Sequence, residues 1–360
     1  MSFKTPLHEN HVFLGARMVN FHGWDMPLHY GSQLEEHHAV RQHSGVFDVS
    51  HMTIIDVLGA GGRQFLRKLL TNDVDRLQQR GQALYSCMCD EHGGILDDLI
   101  VYQRNPDNYR IILNSATRDR VLPWIREKIN GFSAGLQERT ELSMLAVQGP
   151  EAIRLTCSLL SAEQAEAVAL LKPFESIDQD DYFFARTGYT GEDGLEIILP
   201  ETKIKTLWHA LIEAGVKPAG LAARDTLRME AGLLLYGQDM DETTTPLETG
   251  LAWTVQFEPL DRDFIGMGAL LSQKQQGIKR KLVGLTLESK GIMRHGQTVF
   301  VADHPTGLIT SGTYSPTLGY SIALARVPHD AEDTVFVDIR GTQHLAHVTK
   351  PRFVKHGKAL

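Results

Sequence analysis

An α+β arrangement followed by a small antiparallel β-barrel is the fold class this sequence predicts, and three observations carry it. From about 51 to 140, a strand, a helix and a strand pair with a tight turn follow in order. From about 141 to 275, strands and amphipathic helices alternate around a glycine-rich segment. After Lys279-Arg280-Lys281 the texture changes to short alternating strands punctuated by Gly, Pro and Asp, as in a small barrel or roll.

Each element has a local cause. Residues 53–58, Thr-Ile-Ile-Asp-Val-Leu, are strand-forming, and Gly59 to Gly62 interrupts them. Arg63 to Leu70 places Phe65, Leu66, Leu69 and Leu70 at helical spacing. Ile95–Tyr102 and Tyr109–Leu113 pair across the turn-forming Asn105-Pro106-Asp107-Asn108, and a helix follows over Arg118–Lys128. Leu142–Gln148 is a strand, and Gly149-Pro150 starts a helix with Pro in its first turn. Tyr182–Ala185 and Leu195–Leu199 are strands flanking Arg186-Thr-Gly-Tyr-Thr-Gly-Glu-Asp-Gly194. Thr202–Ala214 is a helix closed by Gly215, and Ala222–Leu235 is a second, with an apolar stripe of Ala223, Leu227, Ala231 and Leu234. The barrel strands are Leu282–Leu287, Thr298–Ala302, Gly307–Thr310, Ser321–Ala325 and Thr334–Ile339.

The composition narrows the function. The 360 residues carry a formal net charge of −8, with 42% hydrophobic and 22% charged residues, as in an ordinary globular chain of two or three domains. The acidic balance argues against a general phosphate-backbone binder, and no apolar stretch is long enough to span a membrane. The residues from Met1 to Asn10 have neither a signal core nor an Arg-rich presequence, and the sparse set Cys87, Cys89 and Cys157 fits a reducing compartment, so a cytoplasmic location is expected. Of the 16 histidines, eight lie in the first 51 residues: His8, His11, His22, His29, His37, His38, His43 and His51. That crowding raises the idea of a metal site, but the only helical i,i+3 pair there is His8 and His11, and no two are four apart. Neither a dinucleotide fingerprint nor a P-loop is present.

Three constellations could carry chemistry. In Gly93-Gly-Ile-Leu-Asp97-Asp98, two carboxylates enter an apolar strand; alternation lets at most one serve a given pocket, and the other reading is a cap for the Gly-Gly turn. Tyr85, Cys87 and Cys89 share one face of an extended segment, the cysteines as small packing residues. In Thr187-Gly-Tyr189-Thr-Gly-Glu-Asp-Gly194, Tyr189 could stack on a flat ring, and Glu196 just beyond could accept two parallel N–H donors from a planar heterocycle; a hairpin with one tolerated polar residue is the alternative. In Ala223-Arg224-Asp225-Thr-Leu-Arg228, either the charges pair at the surface, Asp225 with Arg228, or one Arg points into a pocket to hold a carbonyl or carboxylate.

Taken in order, these segments resemble the aminomethyltransferase (T-protein) family of the glycine cleavage system. The resemblance runs from Thr5-Pro-Leu-His8 through Phe21-His-Gly-Trp-Asp-Met-Pro27, Gly45-Val-Phe-Asp-Val-Ser-His-Met52, Gly93-Gly-Ile-Leu-Asp-Asp98, Gly188-Tyr-Thr-Gly-Glu-Asp-Gly194 and Ala223-Arg-Asp-Thr-Leu-Arg228 to Thr310-Ser-Gly-Thr-Tyr-Ser-Pro316. Each motif alone is weak; the ordered set is specific. It implies a three-lobed folate-binding fold around a central hole: a discontinuous α+β domain of residues 1–50 and 141–275, an α+β domain of 51–140 and a C-terminal antiparallel barrel of 276–360. It implies tetrahydrofolate as co-substrate without metal or flavin. Lipoylated H-protein is the implied partner of a monomeric chain, with no role for nucleic acid or membrane. The implied reaction takes an aminomethyl group from the lipoyl arm, releases ammonia and forms 5,10-methylenetetrahydrofolate.

By the same resemblance Asp98 is the catalytic carboxylate, Glu196 and Arg228 bind folate, and Tyr85, Asn114, Tyr189 and Tyr236 form pocket wall. His51 is expected to be buried and hydrogen-bonded near the cavity. Cys89-Asp90 and Ala323 depart from the family pattern without touching these residues. A folate-binding relative of iron–sulfur cluster assembly would carry a Lys-Gly-Cys-Tyr-type motif, and a flavin-linked oxidase an upstream dinucleotide fingerprint; neither is in the sequence. A pure scaffold would have no use for Asp98, Glu196 and Arg228 together.

Overall fold

The computed structural model describes residues 2–259, 261–302 and 304–360. The chain forms two compact units, one of residues 1–65, 75–84 and 100–227, the other of 66–74, 85–99 and 228–360.

In the first unit the main sheet runs, among the described residues, in the order Ser176–Gln179, Tyr182–Ala185, Gly194–Pro200, Leu142–Gln148, Gly45–Asp48, Lys217–Pro218. Its neighbours are antiparallel except Lys217–Pro218, which runs parallel to Gly45–Asp48. Alternation along Gly194–Pro200 explains its two faces. Leu195, Ile197 and Leu199 enter a core with Val147, Ile204, Trp208 and Leu211, so the helix Glu201–Glu213 packs on that side. Ile198 enters a second core with Phe47, Met144, Tyr102 and Leu227. Glu196 shares that second face, opposite Ala146 on one neighbouring strand and Ala185 on the other, and these small residues leave room for a carboxylate.

A five-stranded sheet follows the order Ala83–Cys89, Ile95–Asn105, Asn108–Leu113, Thr53–Leu58, Gly135–Glu138. Asn105 and Asn108 are register partners, so Pro106-Asp107 makes the expected turn. In the second unit Arg280–Leu287, Ser321–Pro328, His304–Tyr314, Thr298–Val301, Thr334–Ile339 and Thr342–Thr349 close into an antiparallel barrel around Leu285, Val299, Ile309, Ala325 and Val337. Ala323, one of the departures, is fully buried in this core.

Among the differences from the sequence expectation are two helix ends and one barrel strand. The helix after Gly149-Pro150 begins only at Ala152. The helix expected to reach Leu235 spans Leu221–Ala231, because Gly232 turns to φ +70° where a Cβ would lie 1.5 Å from the Pro351 carbonyl oxygen. The barrel's closing strand Thr342–Thr349 was not anticipated, since its mostly polar sequence Thr-Gln-His-Leu-Ala-His-Val-Thr hides the inward Ala346.

The N-terminal histidines have separate partners. His11 Nε2 lies 2.9 Å from Asp48 Oδ2 and its Nδ1 2.8 Å from the Tyr30 hydroxyl, in full burial. His8 meets Asp25 at 2.8 Å, and His37 meets the Thr226 hydroxyl at 2.8 Å. Among the described residues no three His, Cys, Asp or Glu side chains are grouped to hold a metal ion. Cys87 and Cys89 are fully buried in an apolar cluster with Ile95, Leu251 and Leu324, where burial pushes both thiols up.

Asp56 is a buried charge of the first unit. It accepts from Arg110 Nε at 2.8 Å and Nη2 at 2.9 Å, from Arg139 Nη1 at 2.6 Å and from Arg104 Nη1 at 3.3 Å. Burial alone would raise its carboxyl, but the hydrogen bonds and charges of Arg110, then Arg139 and Arg104, hold it below the ordinary range. A folded-state value below the unfolded one gives stability that is present above about pH 4 and lost as pH falls through the folded value. Asp56→Asn is therefore expected to cost about 3–5 kcal/mol near neutral pH, by stranding buried guanidinium groups. In denaturant titrations the gap to the parent chain should narrow toward about pH 3; an equal gap at both pH values would contradict this account.

Candidate functional site

In the first unit the site is built around Glu196. Its carboxylate is 8% exposed and accepts from Thr187 Oγ1 at 2.6 Å. The single Thr187 proton is thereby committed, so the Tyr102 hydroxyl, 3.0 Å away, must be the donor to Thr187. Burial pushes the Glu196 carboxyl up, and the Thr187 bond and the Arg224 charge pull against it. The same carboxylate, after burial, helps to push the Tyr102 phenol up.

The loop after Thr187 is held from two sides. Gln148 Nε2 donates to the Thr187 carbonyl at 3.0 Å, and its Oε1 accepts from Thr190 Oγ1 at 2.8 Å. That amide occupies the space a side chain at 188 would need: a Cβ on Gly188 would lie 1.9 Å from Gln148 Oε1. From the helix Gln33–Gln42, Arg41 donates to the Thr190 carbonyl at 2.6 Å, to Glu192 Oε1 at 2.7 Å and to the Leu227 carbonyl at 3.2 Å. Neither Arg41 nor Gln148 stood out in the sequence, because their partners are more than 35 residues away or are backbone carbonyls.

Tyr189 is the tip of this loop. The Arg224 guanidinium sits 4.6 Å from its ring centroid, a cation–π contact. Arg224 Nη1 is enclosed by protein yet has no hydrogen-bond partner. Burial weakens the hold of Arg224 on its proton, while Tyr189 and Glu196 counter that effect. A half-buried guanidinium with an unmet donor is suited to an acceptor atom of a ligand. Asn114, half-buried, follows the strand Asn108–Leu113, and its carbonyl accepts from Thr117 Oγ1 at 2.9 Å ahead of the helix Arg118–Lys128.

In the second unit, Asp97 and Asp98 point to opposite faces of their strand, as alternation requires. Asp97 is 0% exposed, whereas Asp98 is half-buried and accepts from the Tyr85 hydroxyl at 2.7 Å. Trp253, 62% exposed, stacks on the Tyr85 ring with centroids 5.7 Å apart and planes 22° from parallel. Trp253 was not singled out in the sequence. The Tyr236 hydroxyl lies 3.0 Å from the Ile95 carbonyl and 2.9 Å from Glu242 Oε2, bracing the strand start that carries Asp97 and Asp98.

Arg228 is bonded within the second unit. It is 2% exposed, and its Nη1 donates to Asp239 Oδ2 at 2.8 Å and to the Leu233 carbonyl at 3.2 Å, while Nη2 donates to Ser311 Oγ at 2.9 Å. Asp239 in turn accepts from the Leu235 amide at 2.9 Å and Thr310 Oγ1 at 2.5 Å. These bonds anchor Arg228 within the second unit, with Asp239 as an ion-pair partner. Of the two arginines weighed from the sequence, Arg224 is the one over the Tyr189 ring, and its charge acts on Glu196.

Comparison with known proteins identifies the family. Residues 7–259 match the GCVT N-terminal domain family, and residues 280–355 match the glycine cleavage T-protein C-terminal barrel domain family. The chain is 70% identical over 360 residues to an aminomethyltransferase of Legionella pneumophila strain Corby, covering 100% of both. It is 52% identical to an aminomethyltransferase of Pseudomonas syringae pv. tomato, again over 100% of both. Its structure superposes on the glycine cleavage system aminomethyltransferase T of Bartonella henselae with a TM-score of 0.92, 34% identity and 99% of each chain covered.

The contrast between the two arginines is measurable as stability. Arg228→Gln leaves Asp239 buried without its counter-charge and is expected to cost about 3–5 kcal/mol. Arg224→Gln removes a charge with an unmet buried donor and is expected to change stability by no more than about 1 kcal/mol. Denaturant midpoints of the two variants test this; equal losses would contradict it.

Proposed function

The chain belongs to the glycine cleavage T-protein family, and from that premise we propose that it catalyses a tetrahydrofolate-dependent aminomethyl transfer. The aminomethyl carbon leaves the lipoyl sulfur of H-protein and its own amine, and it forms bonds to two folate nitrogens. The two protons those nitrogens lose balance the thiol and the ammonia. The products are ammonia, dihydrolipoyl H-protein and 5,10-methylenetetrahydrofolate.

The observation that carries this reading is the Asp98–Tyr85 pair: a half-buried carboxylate held in one orientation by a 2.7 Å hydrogen bond. Such a group can orient folate nitrogens and accept or pass a proton as the new bonds form. No covalent nucleophile is needed, because the aminomethyl carbon arrives already activated by sulfur and amine; the protein supplies proximity and electrostatic complementarity. The same reasoning leaves no task for a metal or flavin.

Folate fits the first unit's residues. A pterin presents an amino group and a ring N–H side by side, matching the carboxylate of Glu196. It also presents acceptor atoms, which suit the unmet donor of Arg224. We therefore assign to Arg224 the ligand contact first expected of Arg228. Tyr189 offers a ring face, Tyr85, Asn114 and Tyr236 remain candidates for pocket wall, and the exposed Trp253 stacked on Tyr85 is added to them. The lobe division near residues 50, 140 and 275, a cytoplasmic location and a monomeric working form belong to this same proposal.

Two comparisons test it. Asp98→Asn is expected to lower formation of methylenetetrahydrofolate from aminomethyl-loaded H-protein by roughly 10²–10⁴-fold with the melting transition unchanged, and Asp97→Asn to lower it far less. Equal losses would show that the parity is wrong. Glu196→Gln and Arg224→Gln are each expected to weaken tetrahydrofolate binding roughly tenfold, the equivalent of one lost hydrogen bond to a charged group. Unchanged affinity in either would remove that residue from the pocket.

A further inference from the structure

His51 is 4% exposed, and its Nδ1 is enclosed by protein without a hydrogen-bond partner, unlike the satisfied imidazoles of His11 and His37. Burial of this kind costs about 1–3 kcal/mol unless something supplies the missing bond. The residue is also not loosely placed. Its turn is fixed by the Ser50 amide donating to Asp48 Oδ1 at 3.0 Å, by the Met52 amide donating to the Val49 carbonyl at 3.0 Å and by Ser50 Oγ donating to the Met144 carbonyl at 3.2 Å. Asp48 is itself anchored by Thr5 Oγ1 at 2.6 Å and His11 Nε2 at 2.9 Å. The Phe21 ring meets the imidazole edge to face, 5.6 Å between centroids.

Arg224 Nη1, in the same unit, is likewise enclosed and unpartnered, and its charge acts on His51. Two unmet nitrogens on fixed supports, within electrostatic reach of each other and of Glu196 through Arg224, call for an acceptor atom brought in from outside. On the pterin, the ring carbonyl lies next to the ring N–H that Glu196 is proposed to receive.

We propose that His51 is a further ligand-binding residue, whose Nδ1–H donates to the pterin ring carbonyl alongside Arg224. This rests on the folate reading given above. The imidazole is suited to the task because it is neutral: burial, then the charge of Arg224, lowers it to about 4, with Asp48 opposing and His22 adding to the shift. A neutral ring can carry its proton on whichever nitrogen has an acceptor.

The test measures binding of tetrahydrofolate and its 4-amino analogue, which lacks the ring carbonyl, to the full chain. His51→Leu is expected to bind tetrahydrofolate roughly tenfold more weakly than the parent chain, while the 4-amino analogue binds both alike. His51→Asn, which keeps a donor close to the place of Nδ1, is expected to recover most of the loss. Equal weakening for both ligands would reduce His51 to a structural role, and unchanged tetrahydrofolate affinity in His51→Leu would remove it from the site; either overturns the proposal. If Glu196→Gln also leaves the affinity unchanged, the parent reading fails with it, whereas a Glu196 effect without a His51 effect sinks only this inference. Where His51→Leu does not fold, the imidazole nitrogen resonances of the unmodified chain decide: Nδ1 must move on adding tetrahydrofolate and stay in place with the analogue.

Discussion

A carboxylate drawn almost wholly out of water stays ionisable only where the fold fixes polar groups around it, and in the first unit Glu196 imposes that demand. Ala146 and Ala185 flank it on the neighbouring strands, so space rather than packing surrounds the acid. Thr187 gives it a proton to share, Tyr102 supports Thr187, and the two hydroxyls can only be polarised in one direction. The loop beyond must then lie close to Gln148, which is why residue 188 has no side chain. Arg41 completes the arrangement by tying that loop to the helix Leu221–Ala231 through the Leu227 carbonyl. The cost of burying one acid is thus spread over a set of residues that also aim Tyr189 and Arg224.

The second unit solves a comparable problem differently. One of its buried charges, Arg228, is paired with Asp239, and Ser311 and Thr310 extend the network to the barrel strand His304–Tyr314. A pair held in this way fixes structure. Asp98 is half-buried and accepts from Tyr85, whose ring stacks on the solvent-exposed Trp253.

Much of this was legible before the structure. Strands with clear alternation, such as Thr53–Leu58 and Leu142–Gln148, and the helix Arg118–Lys128 follow from local pattern alone. The parity of Asp97 and Asp98 could be stated but not resolved, since alternation separates the two without saying which side is solvent. Arg224 and Arg228 are four apart on one helix, so spacing cannot rank them; the decision lies with Asp239 and Ser311, 11 and 83 residues further on. The strand Thr342–Thr349 was missed because barrel closure, supplied by pairing with Arg280–Leu287, overrides a weak local preference. The histidine crowding near the N-terminus was visible as composition, yet its meaning is a series of separate contacts: His8 with Asp25, His11 with Asp48 and Tyr30, His37 with Thr226, and His51 with an unmet nitrogen.

The most direct test of the account is ammonia release from aminomethyl-loaded, lipoylated H-protein by the purified chain, followed with and without tetrahydrofolate. The account predicts rapid release only when tetrahydrofolate is present, with one methylenetetrahydrofolate formed for each ammonia. Release at the same rate without folate, or release with no methylenetetrahydrofolate, would contradict it.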